Sequence, residues 1–596
     1  MKQSRVVTHN GNPVLCIGDE ELSACAYMTY FDERNDYAEF AQKGFRIYSV
    51  SVSFASQPIN TGSGFMPYTK GVFDTKGLPD FSAVDQAVEM VLKACPDAYI
   101  FPRIYVCMPE WWIKENQSET IDVPHEKKRE SLYSEKFRVD ASEMLRIFIE
   151  HFKSCNYSDN IFGYQISGGN TQEWFHLDLN GSFSENTLPY FNKYLKKKFQ
   201  GEYSVVDVLP DINIVKTSEI ITDELVTAYL RFASEEVAET IEFFCKTVKE
   251  AVNYTQVVGV FYGYTAEVPN QFWGTHALSK ILDSKNIDFI SSPNSYNCAR
   301  SLGVDWADMV PVDSVKIHGK MCFMECDIRT FLSMSPEKSR SGSDPLHFYT
   351  DKVWEGPPTD ELSVYAVRKS LARQLTHKHG LWWFDMFGHW YASEKIMDEM
   401  SKSLELYNRS IQITPCEYET ELAVFLDEES FSKIGHKHPA FNSAYTLRTP
   451  LAQCGAPYSF LLISDFERID WSNSRYKAVI FSVAHDSGYV SEYMEKLAEK
   501  GIANIRISAE KPMYTAEELN SFLKKAGVYI YSDSLDVFYI GNGFASVHAV
   551  TEGEKRVCFP EKLKCTDTQT GVSVVTDILK FKCKQFETRL FELERV

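Results

Sequence analysis

The chain has 596 residues, 44% hydrophobic and 24% charged, with a formal net charge of −20. That length exceeds what one hydrophobic core organises, so roughly two to four domains are expected, and the acidic balance excludes a nucleic-acid partner, which would need clustered Lys and Arg. No run of about eighteen apolar residues is present and Met1 to Asn10 lacks an apolar signal core, so neither a membrane partner nor a secretory leader is expected.

From the N-terminus to residue 412, short apolar runs alternate with longer amphipathic ones. Strands are predicted at Leu22–Tyr30, Phe45–Val52 and Ala98–Val106, interleaved with helices over Asn35–Lys43 and Phe81–Ala94. An amphipathic helix over Ala141–Lys153 and a turn at 156–160 lead into a fourth strand from Gly163, which opens through Gly168-Gly169 towards Glu173. Helical text from Thr222 to Val252 precedes strands at Val257–Tyr264, Ile287–Pro293 and a seventh ending at Glu325. A helix over Glu361–His377 then leads to Gly380–Met386. About eight β/α units over 1–412 predict a (β/α)8 TIM barrel rather than an open doubly wound sheet, with chemistry where strands end and loops begin.

Region 413–540 keeps the β/α rhythm, with buried parallel-type strands at 421–427, 458–464, 477–482 and 503–507 and a helix over Val490–Lys500 that stops at Gly501. It has no G-x-G-x-x-G and no Walker pattern, so it reads as a flavodoxin-like α/β domain without a nucleotide. Alternating segments at 545–550 and 571–575 predict a small C-terminal β-sandwich-like domain over 541–596. The fourteen cysteines form no C-x-x-C pair, the pattern of reduced thiols in a cytoplasmic protein, with a trimmed export signal as the alternative.

Two carboxylates stand out. Glu173 is followed by Trp174 and Phe175, rings that exclude water and raise a carboxyl pKa, as a general acid near neutrality requires. Taken alone it reads more simply as a loop carboxylate, but Glu325 closes a second apolar run in the same way, and two glutamates at strand ends are the equipment for cleaving a glycosidic bond. The aromatic load of 32 Tyr, 40 Phe and 10 Trp suits stacking on sugars. His377-Lys378-His379 precedes its strand and His436-Lys437-His438 lies outside the barrel, so no metal is expected. Glu267 is expected at the pocket rim or paired with a loop charge. Tyr296 is as well suited to hydrogen-bonding Glu325 as to packing.

In these residues and this order of domains the chain resembles clan A glycoside hydrolases, and among them the family 42 β-galactosidases, over nearly its whole length. The resemblance implies Glu173 as acid/base, Glu325 as nucleophile, Arg103 as an arginine holding the sugar, and Trp383–Tyr391 as an aromatic platform after the eighth strand. Trp112, Asn170, Gln172, Tyr264, Tyr296 and Trp383 complete the expected substrate-contacting set. It also implies a carbohydrate substrate, no cofactor and a homotrimer joined through the flavodoxin-like domain. Gln172 departs from the clan, which places Asn before the acid/base to meet the sugar 2-hydroxyl. The longer amide moves its groups by about one methylene, and Asn170 is the alternative. The expected function is a retaining exo-β-glycosidase, β-galactosidase-like, with β-mannosidase or β-glucosidase on the same scaffold as alternatives and a catalytically silent sugar-binding or scaffolding protein as the rival. Arg103 is expected to keep Glu325 ionised while Glu173 stays protonated.

Overall fold

The computed structural model describes residues 2–10, 12–124, 127–176, 185–199, 205–269, 271–347, 349–412, 420–486 and 488–596. It opens with a three-stranded antiparallel sheet of Ser4–His9, Asn12–Ile17 and Glu20–Leu22. The first barrel strand, expected from Leu22, starts at Cys25, and Leu22 ends the small sheet.

Eight parallel strands then close a barrel in sequence order: β1 Cys25–Thr29, β2 Ile47–Ser53, β3 Tyr99–Val106, β4 Gly163–Gly168, β5 Val257–Phe261, β6 Phe289–Ser291, β7 Met321–Cys326 and β8 Gly380–Asp385. Every residue of these strands is buried, because helices cover one face and the packed barrel interior the other. Three of the long helices begin on side-chain caps. Ser134, Asp223 and Thr359 accept first-turn N–H groups of Glu135–Ser154, Glu224–Ala251 and Asp360–His377. Phe101, Phe289 and Trp382 ring Phe323 at 5.2, 5.7 and 5.3 Å and fill the barrel floor beneath the site. Gly259 makes that layer possible, since a Cβ there would stand 2.0 Å from the Phe289 ring.

The second module is a four-stranded parallel sheet of β9 Leu422–Leu426, β10 Tyr458–Leu462, β11 Ala478–Ser482 and β12 Ala503–Arg506, ordered β10-β9-β11-β12, which is the flavodoxin-like winding. The boundary expected at 413 lies outside the described residues. Five antiparallel strands follow: β13 Val537–Gly541, β14 Phe544–His548, β15 Gly553–Asp567, β16 Ser573–Cys583 and β17 Thr588–Arg595. They form one sheet rather than two facing ones, and its first strand spans the boundary expected at 540. The sheet packs on the barrel helix Asp360–His377, where Arg368 donates to Glu399 and to the Thr588 carbonyl, and the Tyr539 hydroxyl bonds Asp305 beside Arg373. That covering removes the need for a second sheet. Among the described residues no helix is long and apolar enough to cross a membrane, and the thirteen described cysteines are free.

Candidate active site

The loop after β4 folds back on its own strand. Trp174 N–H donates to the Gly168 carbonyl at 2.7 Å and Asn170 N–H to the Phe175 carbonyl at 2.9 Å. The Trp174 ring lies so close over Gly168 that a Cβ there would meet it at 2.7 Å. Thr171, Gln172 and Trp174 all take left-handed backbone angles, φ 58, 66 and 63°. Such a run of non-glycine residues is held only by surrounding contacts, a frequent mark of a functional loop. The anchor is Asn170, whose Oδ1 accepts from Thr61 N–H at 2.8 Å and Thr61 Oγ1 at 2.9 Å.

This loop delivers Glu173 half-buried to the barrel mouth. Tyr264, just beyond β5, donates its hydroxyl to Glu173 Oε1 at 2.7 Å, and Thr171 Oγ1 bonds Oε2. Glu325, at the penultimate position of β7, is 2% exposed, and its Oε2 accepts from Arg103 Nη1 on β3 at 2.8 Å. Arg103 is itself buried, its guanidinium 4.3 Å above the Phe261 ring and near the rings of Tyr30 and Phe384. The charge of Glu173 acts on Glu325 through space, and Arg103 acts on both.

Burial pushes the Glu173 carboxyl up to about 7, against the hydrogen bonds from Thr171 and Tyr264 and the charge of Arg103. Burial pushes Glu325 up as well, to about 8, with Arg103 opposing and the charges of Asp327 and Glu173 adding to the rise. Arg103 therefore does not hold Glu325 in the ordinary carboxylate range as the sequence reading expects, because loss of water outweighs one guanidinium. Two carboxyls in one field titrate as a pair. The pair keeps a proton near neutrality, leaving one acid and one carboxylate.

The other expected residues divide. Gln172 is 2% exposed, and its Oε1 is buried without a hydrogen-bond partner. Asn170 has committed its oxygen to Thr61, so its carbonyl serves the loop. Tyr296 is half-buried beyond β6, with its N–H on Glu267 at 3.0 Å and its hydroxyl 3.5 Å from Asp327, so it faces Asp327 rather than bonding Glu325. Glu267 pairs with Arg448, which opens the helix Arg448–Gln453 of the second module, rather than with a loop charge.

Two tryptophans are placed elsewhere. Trp112 is buried with its indole N–H on Asp140 of the outer helix at 2.6 Å and its ring beside Phe137, so it secures helix to barrel. Trp383 lies on the outward face of β8, its ring 6.2 Å from Tyr391, while Trp382 and Phe384 point inward. Phe384, edge-on to Tyr30 at 4.8 Å, takes the wall position that Trp383 was expected to hold. Tyr30, Thr171, Asp327, Arg300 and Arg329 were not foreseen. Asp327 had a signal, since it follows Glu325 by two residues and so continues its side of the chain just beyond the strand.

Among the described residues the one His, Cys and acid grouping tight enough to share an ion is Asp85, His151 and Cys155, outside the barrel. Its heads already bond one another, with His151 Nε2 2.7 Å from Asp85 Oδ1 and the Tyr157 hydroxyl on the same oxygen.

No family model matches the sequence, and no curated protein does. Solved structures do. Gan42B, a GH42 beta-galactosidase from G. stearothermophilus, matches with a TM-score of 0.62 at 11% identity over 100% of both chains. The beta-galactosidase from Bacillus circulans sp. alkalophilus matches at 0.59 and 12% identity, over 96% of this chain and 99% of that one. The cold-adapted beta-galactosidase from Rahnella sp. R3 matches at 0.60 and 10%, over 96% and 98%. The chain therefore has the full-length fold of the GH42 beta-galactosidases.

Proposed function

We propose that this chain is a retaining β-glycosidase acting on terminal sugars, with Glu173 as acid/base and Glu325 as nucleophile. The observation that carries it is the meeting of two glutamates at one barrel mouth, one half-buried and bonded to Tyr264 and Thr171, the other buried and bonded to Arg103. In the first step a Glu325 carboxylate oxygen bonds the anomeric carbon as the glycosidic C–O bond breaks, and the Glu173 proton passes to the leaving oxygen. In the second, Glu173 takes a proton from water, whose oxygen displaces Glu325 and restores both groups.

The similar solved structures are beta-galactosidases, which favours a galactoside, with β-mannoside and β-glucoside as the competing sugars. Aryl β-galactoside, β-mannoside and β-glucoside, with the first-formed anomer followed by proton NMR, test this. The β anomer is expected first. The α anomer would mean inversion, and no turnover of any glycoside would support the silent binder. The homotrimer stays a proposal resting on the resemblance, and light scattering showing a stable monomer at micromolar concentration would remove it.

A further inference from the structure

The barrel mouth carries more positive charge than the proposed reaction uses. Two residues beyond Glu325, Asp327 is fully buried and paired with Arg300 and, at 3.3 Å, with Arg329. Arg300 spends its remaining nitrogens on main-chain carbonyls, Nη2 on Asn294 at 2.6 Å and Nε on Ser295 at 3.3 Å. Arg329 spends Nε on the Val353 carbonyl at 2.9 Å and Nη1 on Asp327. Its Nη2 has no partner among the described residues.

The setting of Arg329 is dry and rich in donors. Its side chain is 10% exposed, and the rings of Trp354, Trp390 and Tyr296 stand 5.4, 5.9 and 6.0 Å from its guanidinium carbon. The indole N–H groups of Trp354 and Trp390 are both buried without an acceptor. When Glu173 carries the proton its role needs, Arg103, Arg300 and Arg329 face only Glu325 and Asp327, so three cations meet two anions. The nearby Glu267 is neutralised by Arg448 and does not change that balance. A buried cation without a counter-ion is costly, and an arginine beside unpaired donors answers best to a carboxylate.

We propose that the sugar bound for cleavage is a hexuronic acid, its C6 carboxylate received by Arg329 Nη2, with Asp327 and Arg300 as positioning residues for that guanidinium. This rests on the glycosidase reading and names its substrate class. The added negative charge repels an ionised Glu173, so the correct substrate also keeps the acid protonated.

The test compares kcat/KM for 4-nitrophenyl β-D-glucuronide and β-D-galacturonide with that for the matching glucoside and galactoside. At least one uronide is expected to exceed its neutral partner by about tenfold or more, and Arg329→Gln to reduce that ratio at least about tenfold, mainly through KM, with Arg329→Lys restoring part of it. In parallel, a Glu325→Gln variant is titrated with D-glucuronate, D-galacturonate, D-glucose and D-galactose. A uronate preference in binding that Arg329→Gln abolishes supports the proposal even without turnover, and in that case it is the catalytic reading that falls. Preference for the neutral sugar in both assays overturns the acidic-sugar assignment and leaves the glycosidase reading intact. Preference for an aryl 6-phospho-β-galactoside over both uronides also overturns it.

Discussion

Arg103 on β3 and Glu325 on β7 meet across the barrel at 2.8 Å, both almost wholly buried. Three strands lie between them in either direction around the closed sheet, so this contact spans the barrel interior over the aromatic floor. Arg103→Ala leaves a buried carboxyl without its cation, which costs about 3–5 kcal/mol of stability, measured by urea denaturation. Turnover falls about 10²–10³-fold as a fixed charge at the reacting centre is lost. Arg103→Lys recovers part of both. Wild-type activity in Arg103→Ala would detach the arginine from the chemistry.

Tyr264 and Glu173 supply the second prediction. The tyrosine's hydrogen bond favours the ionised carboxylate, so Tyr264→Phe raises the Glu173 pKa above its value of about 7. Because the working acid is lost as Glu173 deprotonates, the alkaline limb of the kcat/KM profile moves to higher pH. An alkaline limb that stays in place, or moves down, would separate Tyr264 from the acid.

Much of this site was legible in the chain, and the exceptions have physical reasons. Glu173 and Glu325 close apolar runs flanked by turn residues, a pattern that marks strand ends wherever a barrel is closed. Trp383 shows the limit. The Gly380–Asp385 strand is buried on both faces, so hydrophobicity does not alternate and inward cannot be told from outward until a fixed residue sets the parity. Trp112 follows the third strand closely, but the helix Glu110–Glu115 turns it towards Asp140. The link from Arg300 to Asp327 joins separate loops through side chains, and spacing along one sequence does not encode it.

Gly168→Ala sets a Cβ against the Trp174 ring at 2.7 Å, where both strand and indole are buried. Overpacking of this kind costs about 1–3 kcal/mol. Here the strain falls on the loop that carries Glu173. Activity on a glycoside with a poor leaving group is expected to fall more than activity on a dinitrophenyl glycoside, which departs without a proton. Equal losses on both would mean that the loop moves as a whole without affecting proton delivery.

The raised glutamates also predict a pH-dependent cost. Folding lifts both carboxyls above the usual glutamate range, to about 7 and about 8, so between that range and pH 8 the folded chain binds more protons than the unfolded one. Stability from this source is complete below the unfolded pKa and is lost as pH rises through the folded values. Replacing both groups by glutamine removes the loss. Glu173→Gln/Glu325→Gln should therefore gain on wild type by on the order of a few kcal/mol between pH 4 and 9 in denaturant titrations. A difference that stays flat with pH would contradict the burial assigned to the pair.

The most direct test of the two roles is the configuration of the product formed with azide. Glu325→Ala should lose turnover of every glycoside, and azide should restore it by attacking the vacated face, giving the α-glycosyl azide by inversion. Glu173→Ala should keep the first step with an activated aryl glycoside, accumulate the glycosyl-enzyme, and with azide give the retained β-azide. Exchange of the two configurations would contradict the assignment of acid/base and nucleophile, and near wild-type turnover of either variant without azide would remove that glutamate from the reaction.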